Sequence, residues 1–272
     1  MAAPLSPPAP PSPTPAPKAA TVASPAPSTG PPGREQVAAI SLGSLARQID
    51  AALAGTDCAL VNGAAQDSGA ISVSGIAGTQ AAETLHRAIS RLAGSRPVDW
   101  GVRSIDPVFC SALEVLRPIS PAATAPYDGL RLSLSGGRTA LHDGDLIQPR
   151  VVMANFPGHV RVDYLAHDNT VAHIYPSVAE PSQHLVAVPA RELKPHETLK
   201  INSPYVAGQP YGTDMIIAIA SSIPLFPELP PQNAETDAAG FLTRLAGAIA
   251  AAQQKGASVT GTYMLVDTLP KG

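Results

Sequence analysis

Proline is concentrated at the amino-terminal end of this chain, and this distribution limits where a folded core can form. Residues 1–33 hold 12 of the 30 prolines, and Lys18 is their only charged residue. Alanine, serine and threonine make up nearly all the rest, so this segment has no aromatic or long aliphatic stripe to bury. Such a composition favours extended polyproline II structure. We therefore predict that residues 1–33 are a disordered spacer, with a docking role for their PxxP-like runs as the alternative.

Charge is spread evenly over the remaining chain. The net charge of −3 divides into −1 for residues 34–120 and −3 for residues 121–272, and Lys18 makes up the difference. Without a basic patch, the composition argues against a nucleic-acid partner. The longest apolar run, residues 215–220, is far shorter than the ~20 residues that span a bilayer. We therefore predict no transmembrane span in this chain.

Residues 34–120 alternate between helical and strand patterns in the order α-β-β-α-β-α. We predict that they form a small α/β sandwich. Asp106 and Pro107 are an N-cap residue and an N1 proline for the last helix, which Pro118 stops. The predicted elements are a helix over 34–53, strands over 58–61 and 70–76 joined by residues 63–69, a helix over 79–92, a strand over 98–102 and a helix over 106–116.

The first five of these elements, with the segment GAISVSG at residues 69–75, resemble the BON-type domain of bacterial envelope proteins. The resemblance implies binding at an envelope surface, including phospholipid. This unit carries 7 arginines against 8 acidic residues and has no basic cluster for anionic headgroups. Its charge therefore favours a structural scaffold over a lipid-binding role.

The two cysteines of the chain, Cys58 and Cys110, both lie in this unit. They are either two separate buried thiols or a disulfide. An even count confined to one unit after a proline-rich spacer favours the disulfide, which would place the protein in an oxidising compartment such as the bacterial periplasm. A catalytic cysteine is disfavoured because His86, the one histidine of this unit, has no evident orienting partner.

Residues 127–268 read as strands separated by turns, with one late helix, and residues 121–126 as a linker. A strand is predicted over 146–154, at an edge or with a bulge because it contains Pro149. Residues 160–165 and 170–175 form a predicted hairpin around the turn 166–169. Its simple register predicts a shared face for Val160, Val162 and Tyr164 with Val171, His173 and Tyr175. Further strands are predicted over 130–134, 185–188, 198–201, 215–220 and 258–265, and a helix over 236–253.

Several segments of this unit form a pattern in a fixed order. They are the turn LHDGD at 141–145, the hairpin 158–176, LKI at 199–201, and YGTD at 211–214 leading into residues 216–220 and 224–225. These segments resemble the bacterial domain of unknown function numbered 4384. Members of that family often lie downstream of Ser/Thr protein kinase or caspase-like peptidase domains in bacteria, and residues 58–118 also resemble segments found between such a kinase and this domain. The resemblance implies a sensing or interaction module and not a catalyst.

Histidines are frequent in the second unit, but their surroundings favour turns over catalysis or metal binding. The segments HDGD at 142–145 and AHDN at 166–169 contain the short polar residues that tight turns use. The sequence has no HExxH, paired CxxC or GxSxG motif. We therefore predict no catalytic residue, no metal and no cofactor, while a pocket with clustered His or carboxylate groups would revive a hydrolase. A core contact between His159 and His173 stays open.

The segment 202–212 is the strongest candidate for an interaction surface. It contains Tyr205, Tyr211, Pro204 and Pro210, and tyrosine combines an apolar ring with a polar tip, as binding surfaces require. An ordinary long loop that packs its own rings over the sandwich is the alternative.

Together these observations predict an α+β protein of two folded units, 34–120 and 127–268. We expect a non-catalytic interaction or sensor module of the bacterial cell envelope that binds a protein partner. We expect a periplasmic or other extracytoplasmic location, with peripheral association or tethering by an upstream segment. An envelope lipid- or glycan-binding protein and an uncharacterised hydrolase are the alternatives.

Overall fold

The computed structural model describes residues 34–120, 129–177, 189–226 and 237–272, and for residues 34–41 it describes the backbone only. The predicted spacer 1–33, the linker 121–126, the strand 185–188 and His184 lie outside the described residues. Helices and sheets are both present, so the predicted α+β class is confirmed.

The first segment has the predicted order of elements. The disulfide between Cys58 and Cys110 is also present, and it joins the residue before the first strand to the start of the third helix. The elements are α1 (Arg34–Ala54), β1 (Ala59–Ala65), β2 (Ile71–Gly78), α2 (Thr79–Ala93), β3 (Val98–Ile105), a 3₁₀ turn (Pro107–Phe109) and α3 (Cys110–Leu116).

These strands form a three-stranded sheet in the order β1-β2-β3. β1 is antiparallel to β2, and β3 is parallel to β2, so α2 is the crossover between them. The predicted connection 63–69 is too long, because β1 continues to Ala65. Gly63 pairs with Val73 inside the sheet, and its missing side chain makes room for Ile49 of α1.

In its described residues, the second segment is mainly β-structure followed by one helix and a last strand. Its elements are β4 (Arg131–Leu134), a 3₁₀ turn (Ser135–Gly137), β5 (Ala140–His142), β6 (Pro149–Val152), β7 (His159–Leu165), β8 (Val171–Tyr175), β9 (Thr198–Lys200), β10 (Thr213–Ser221), α4 (Ala238–Gln254) and β11 (Val259–Leu269).

The described residues of this segment form two sheets. One has five strands in the order β5-β11-β10-β7-β8, and the other has three in the order β4-β6-β9. The prediction that Pro149 marks an edge or a bulge is wrong, since β6 is the central strand of its sheet. Pro149 is the first residue of β6, a position where a strand tolerates proline.

The hairpin of β7 and β8 also differs from its predicted register. Leu165 pairs with Val171, so the turn contains five residues and not four. This one-residue shift places Val171 and His173 on the face opposite to Val162, where they align with Leu165 and Asp163. A bulge at Ile174 then pairs Val162 with Tyr175, so these two residues do share a face, as predicted.

Apolar clusters cover both faces of the five-stranded sheet. The face toward β4, β6 and β9 packs Val160, Val162, Ile216 and Ala218 against the second sheet. The other face packs beneath α3 and α4, and the same cluster includes Ile76 and Ile105 of the first sheet. One continuous apolar core therefore connects residues 34–120 with the later strands. None of the helices in the described ranges is long and apolar enough to cross a membrane.

Candidate functional site

The segment 202–212, here called the tyrosine loop, is held against residues 144–147 by backbone hydrogen bonds. The Ile147 amide donates to the Tyr205 carbonyl at 2.9 Å, and the Ala207 amide donates to the Asp145 carbonyl at 2.8 Å. These bonds pair Leu146 with Val206 in an isolated β-bridge. The loop is therefore an ordered ribbon and not a free coil.

This ribbon leaves two large apolar side chains in solvent. Leu146 is 45% exposed and Val206 is 56% exposed. Beside them lies a cavity of about 180 Å³ between the tyrosine loop and β8. We call Leu146, Val206 and this cavity the apolar patch. The cavity is lined by Ile147, Tyr164, Ala166, Thr170, Val171, Ala172, Ile174, Tyr205 and Val206.

The four predicted interaction residues occupy different environments. Tyr205 lines the apolar cavity, and Tyr211 is half-buried near the start of β10. Pro204 and Pro210 are exposed. Sequence reasoning pointed to this loop but did not single out Leu146 or Val206, the exposed apolar residues beside the cavity. An apolar residue that interrupts a polar, proline-containing loop was the available signal for Val206.

The hydroxyl of Tyr205 is buried and has no hydrogen-bond partner among the described residues. Burial raises the pKa of Tyr205 above its ordinary value, because the charged phenolate loses solvation. A buried hydroxyl without a partner is destabilising. Tyr205 therefore contributes its ring to the apolar cavity, while its hydroxyl is buried.

A second group of polar residues surrounds the buried carboxylate of Asp214, at the start of β10. The backbone amide of His167 and its Nδ1 donate to Asp214 Oδ1 at 2.9 and 2.7 Å. The Tyr164 hydroxyl donates to Oδ2, and Thr268 Oγ1 lies 3.4 Å from the same oxygen. The carboxylate is thus well satisfied, and it holds both a tyrosine and a histidine in place.

The imidazole of His167 faces a different cavity, of about 480 Å³, that we call the polar cavity. Because Asp214 occupies Nδ1, Nε2 is the nitrogen left for the cavity. The ring lies flat on Gly212, where a Cβ atom would come within 2.8–3.0 Å of three ring atoms. The ring is 24% exposed. The cavity is lined by Thr79, Ser104, Ile105, Asp106, Pro107, His167, Gly212 and Thr213.

A third polar group, Arg161, Asp163 and His173, is buried beneath α4. Arg161 donates to both Asp163 oxygens, from Nε at 2.8 Å and from Nη2 at 2.7 Å. The Nδ1 atom of His173 lies 2.7 Å from Asp163 Oδ1 and 2.7 Å from Arg161 Nη2. The guanidinium also lies over the rings of Phe226 and Phe241 at about 5 Å. These contacts give the group a structural role in the core.

The two histidine-containing turns have the predicted turn chemistry. Asp145 Oδ2 accepts from the His142 amide at 2.9 Å and from Arg138 at 2.8 Å, and the backbone bond from His142 is the main reason that its pKa is lowered. Asp168 Oδ1 accepts from the amide and the hydroxyl of Thr170. Within the described ranges, the structure has no cluster of three or more His, Cys, Asp or Glu residues that could hold a metal ion.

The position of His173 also bears on the contact left open with His159. His173 lies in the buried group beneath α4, whereas His159 is the first residue of β7 and pairs with Ser221. The sequence carried no signal for the Asp214 group, because Tyr164, His167 and Asp214 are brought together by the pairing of β7 with β10.

The disulfide lies on the surface of the first segment. Cys58 and Cys110 line an open cavity of about 450 Å³ together with the start of α2. Gly78 packs against the bridge, and a Cβ atom there would lie 2.7 Å from Cys58 Sγ.

Comparison of the chain with protein-family models, with curated proteins and with solved structures finds no match.

Proposed function

We propose that this protein is a non-catalytic interaction or sensor module of the bacterial cell envelope that binds a protein partner through the apolar patch. The observation that carries the proposal is the exposure of Leu146 and Val206 beside an apolar cavity. Solvation of apolar side chains is unfavourable, and a grouped set of them beside a pocket is typical of protein-binding surfaces.

The chemistry of the patch favours an apolar anchor on the partner. The cavity of about 180 Å³ is lined mainly by aliphatic and tyrosine side chains. A single leucine, isoleucine or phenylalanine side chain suits such a pocket, and an anchor of this kind carries much of the affinity of many interfaces.

The proposed setting is the periplasm or another extracytoplasmic space. The Cys58–Cys110 disulfide supports it, because disulfides persist in oxidising compartments. In this proposal an upstream segment tethers the module or it associates peripherally with the envelope. It uses no cofactor and no nucleic-acid partner, and the net charge of −3 supports the latter.

The test uses photocrosslinking followed by affinity measurement with the captured protein. A photoreactive residue at Val206 in the full chain should crosslink one defined envelope protein. Val206→Asp and Tyr205→Ala should each weaken binding of that purified protein by at least ~30-fold, which corresponds to the ~2 kcal/mol of an interface hot spot. Tyr211→Ala tests whether the other end of the tyrosine loop contributes.

Ala51→Asp is the matched control, because it places the same charge on an exposed site of α1. Equal affinity of the wild type, Val206→Asp and Tyr205→Ala for the partner would refute the proposal. Binding to vesicles of phosphatidylglycerol that survives Val206→Asp, without a protein partner, would favour the lipid-binding alternative.

A further inference from the structure

Two cavities of different chemistry meet at one carboxylate. Tyr164 lines the apolar cavity and His167 lines the polar cavity, and both side chains donate to Asp214. Asp214 is buried, so its interactions are poorly screened by solvent. A change in the charge of the His167 ring therefore changes the electrostatic potential at Asp214 Oδ2, the oxygen that accepts from the Tyr164 hydroxyl.

We propose that protonation of His167 in the polar cavity weakens binding at the apolar patch through the chain Tyr164–Asp214–His167. This inference rests on the proposed function, because the regulated site is the same apolar patch. In its neutral form the imidazole donates from Nδ1 to Asp214, and its Nε2 carries a lone pair. Protonation at Nε2 makes the ring a cation, and the cation draws the negative charge of Asp214 toward itself.

The consequence for Tyr164 follows from the shared acceptor. A carboxylate that is neutralised by an adjacent imidazolium is a weaker acceptor for the Tyr164 hydroxyl. The Tyr164 ring is then more mobile in the wall of the cavity, and ordering it when a ligand binds costs more conformational entropy. The hydroxyl itself stays protonated throughout, because burial and the bond to Asp214 raise the pKa of Tyr164 well above its ordinary value.

Charged groups lie on the elements packed around His167, and most of them are acidic. The acidic groups are Asp214 on β10, Asp106 on the wall of the polar cavity, Asp168 in the same turn as His167, and Asp267 of β11. Asp267 forms an ion pair with Arg103 at 3.0 Å, and both side chains also contact the hydroxyl of Thr213 on the cavity wall.

The pairing of β7 with β10 brings the three residues of this hydrogen-bond chain together. Tyr164 is in β7, His167 is in the turn that follows it, and Asp214 is in β10, which pairs with β7. Tyr164 and Ile216 are directly paired in that ladder. The two donors thus belong to one hairpin and their acceptor to the neighbouring strand, so only one residue, Asp214, separates Tyr164 from His167 in the chain of hydrogen bonds.

The test measures binding of fluorobenzene to the full chain by ¹⁹F NMR at about pH 8 and about pH 5, the range in which histidine titrates. An apolar cavity of roughly 150 Å³ binds benzene, so this probe suits the apolar cavity. We expect its dissociation constant to rise about fivefold from pH 8 to pH 5, at the lower end of typical allosteric couplings. By linkage, saturating probe should lower the proton affinity of His167 by the same factor, as read from its imidazole NMR signals.

Two variants separate coupling from a structural effect. His167→Gln retains an N–H donor for Asp214 but has no titrating ring, and Tyr164→Phe retains the ring in the apolar cavity but lacks the hydroxyl. Both should bind the probe with the same affinity at the two pH values. His86→Gln, a histidine of α2 that packs against Trp100, should keep the pH dependence of the wild type.

The outcomes distinguish this inference from the proposed function. Probe binding that is equal at both pH values, or a pH dependence that survives His167→Gln, overturns the coupling and leaves the patch as a binding surface. Absence of probe binding at either pH overturns the apolar cavity as a docking site, and the coupling with it.

Discussion

Removal of the Asp163 carboxylate tests whether the buried group beneath α4 stabilises the fold. The Arg161 side chain is 5% exposed and its guanidinium makes two short hydrogen bonds to Asp163. Asp163→Ala leaves that cation buried without its carboxylate. Breaking a buried ion pair in this way costs about 3–5 kcal/mol, a large part of the ~5–15 kcal/mol stability of a typical domain.

The size of this loss can be bounded from the contacts. Two charge-assisted hydrogen bonds contribute about 1.5–3 kcal/mol each, while the contacts of Arg161 with Phe226 and Phe241 remain in the variant. We therefore expect about 3–5 kcal/mol less unfolding free energy for Asp163→Ala, measured by urea denaturation followed by circular dichroism. The urea midpoint should fall while the slope of the transition is unchanged.

A double substitution distinguishes a lost interaction from lost packing. Arg161→Met with Asp163→Leu removes both charges, and well-packed apolar replacements of buried pairs are often neutral. The double variant should therefore be more stable than Asp163→Ala. Arg191→Ala is the control, since its ion pair with Glu197 at 2.7 Å is solvent-exposed and should contribute less than about 1 kcal/mol. A loss below about 1 kcal/mol for Asp163→Ala, or a double variant that is less stable still, would refute the reasoning.

Three further predictions concern the fold. The double variant Cys58→Ala, Cys110→Ala opens a loop of 52 residues and should lower the unfolding free energy by about 4 kcal/mol in the chain-entropy model. Urea denaturation of the variant and of the oxidised wild type measures this loss, and equal midpoints would contradict it. Gly75→Ala should lower the melting temperature, because Gly75 has φ +138° and an added Cβ atom would overlap the Leu60 carbonyl. The backbone strain alone costs about 1–3 kcal/mol. An unchanged melting temperature would exclude the close contact between Gly75 and Leu60. Asp237→Ala removes the acceptor of two amides at the start of α4 and should cost about 0.5–2 kcal/mol by urea denaturation, whereas Asp237→Asn should recover most of it.

Local patterns were sufficient for most elements of the fold. The three-to-four residue spacing of apolar side chains marked α2, and Leu85 and Ile89 are buried as that spacing requires. The Asp106–Pro107 pair marked the start of the last helical segment of the first unit, where Asp106 does accept from the Val108 amide at 2.9 Å. These signals are local because a helix and its caps depend on residues within one or two turns.

Strand faces were less predictable than strand positions. The hairpin 160–175 was expected with a four-residue turn that pairs Leu165 with Thr170, but Leu165 pairs with Val171 and the Ala166 amide bonds to the Thr170 carbonyl, so the register is shifted by one residue. Because side chains alternate with a period of two, that single residue moved His173 to the face beneath α4. Neither the turn length nor the compensating bulge at Ile174 is encoded by hydrophobic alternation.

The candidate site shows the same division. The amino-acid sequence by itself determined the helices, most strands, the tyrosine loop and a cysteine pair in one unit, because these depend on residue types at short spacing. Only the tertiary structure decided that Val206 is exposed beside Leu146, that α4 covers Arg161 and Asp163, and that Asp214 joins Tyr164 to His167. Each of these depends on pairing between distant strands or on which element covers a sheet face. Such long-range contacts are selected by burial of the whole core, and no single stretch of sequence specifies them.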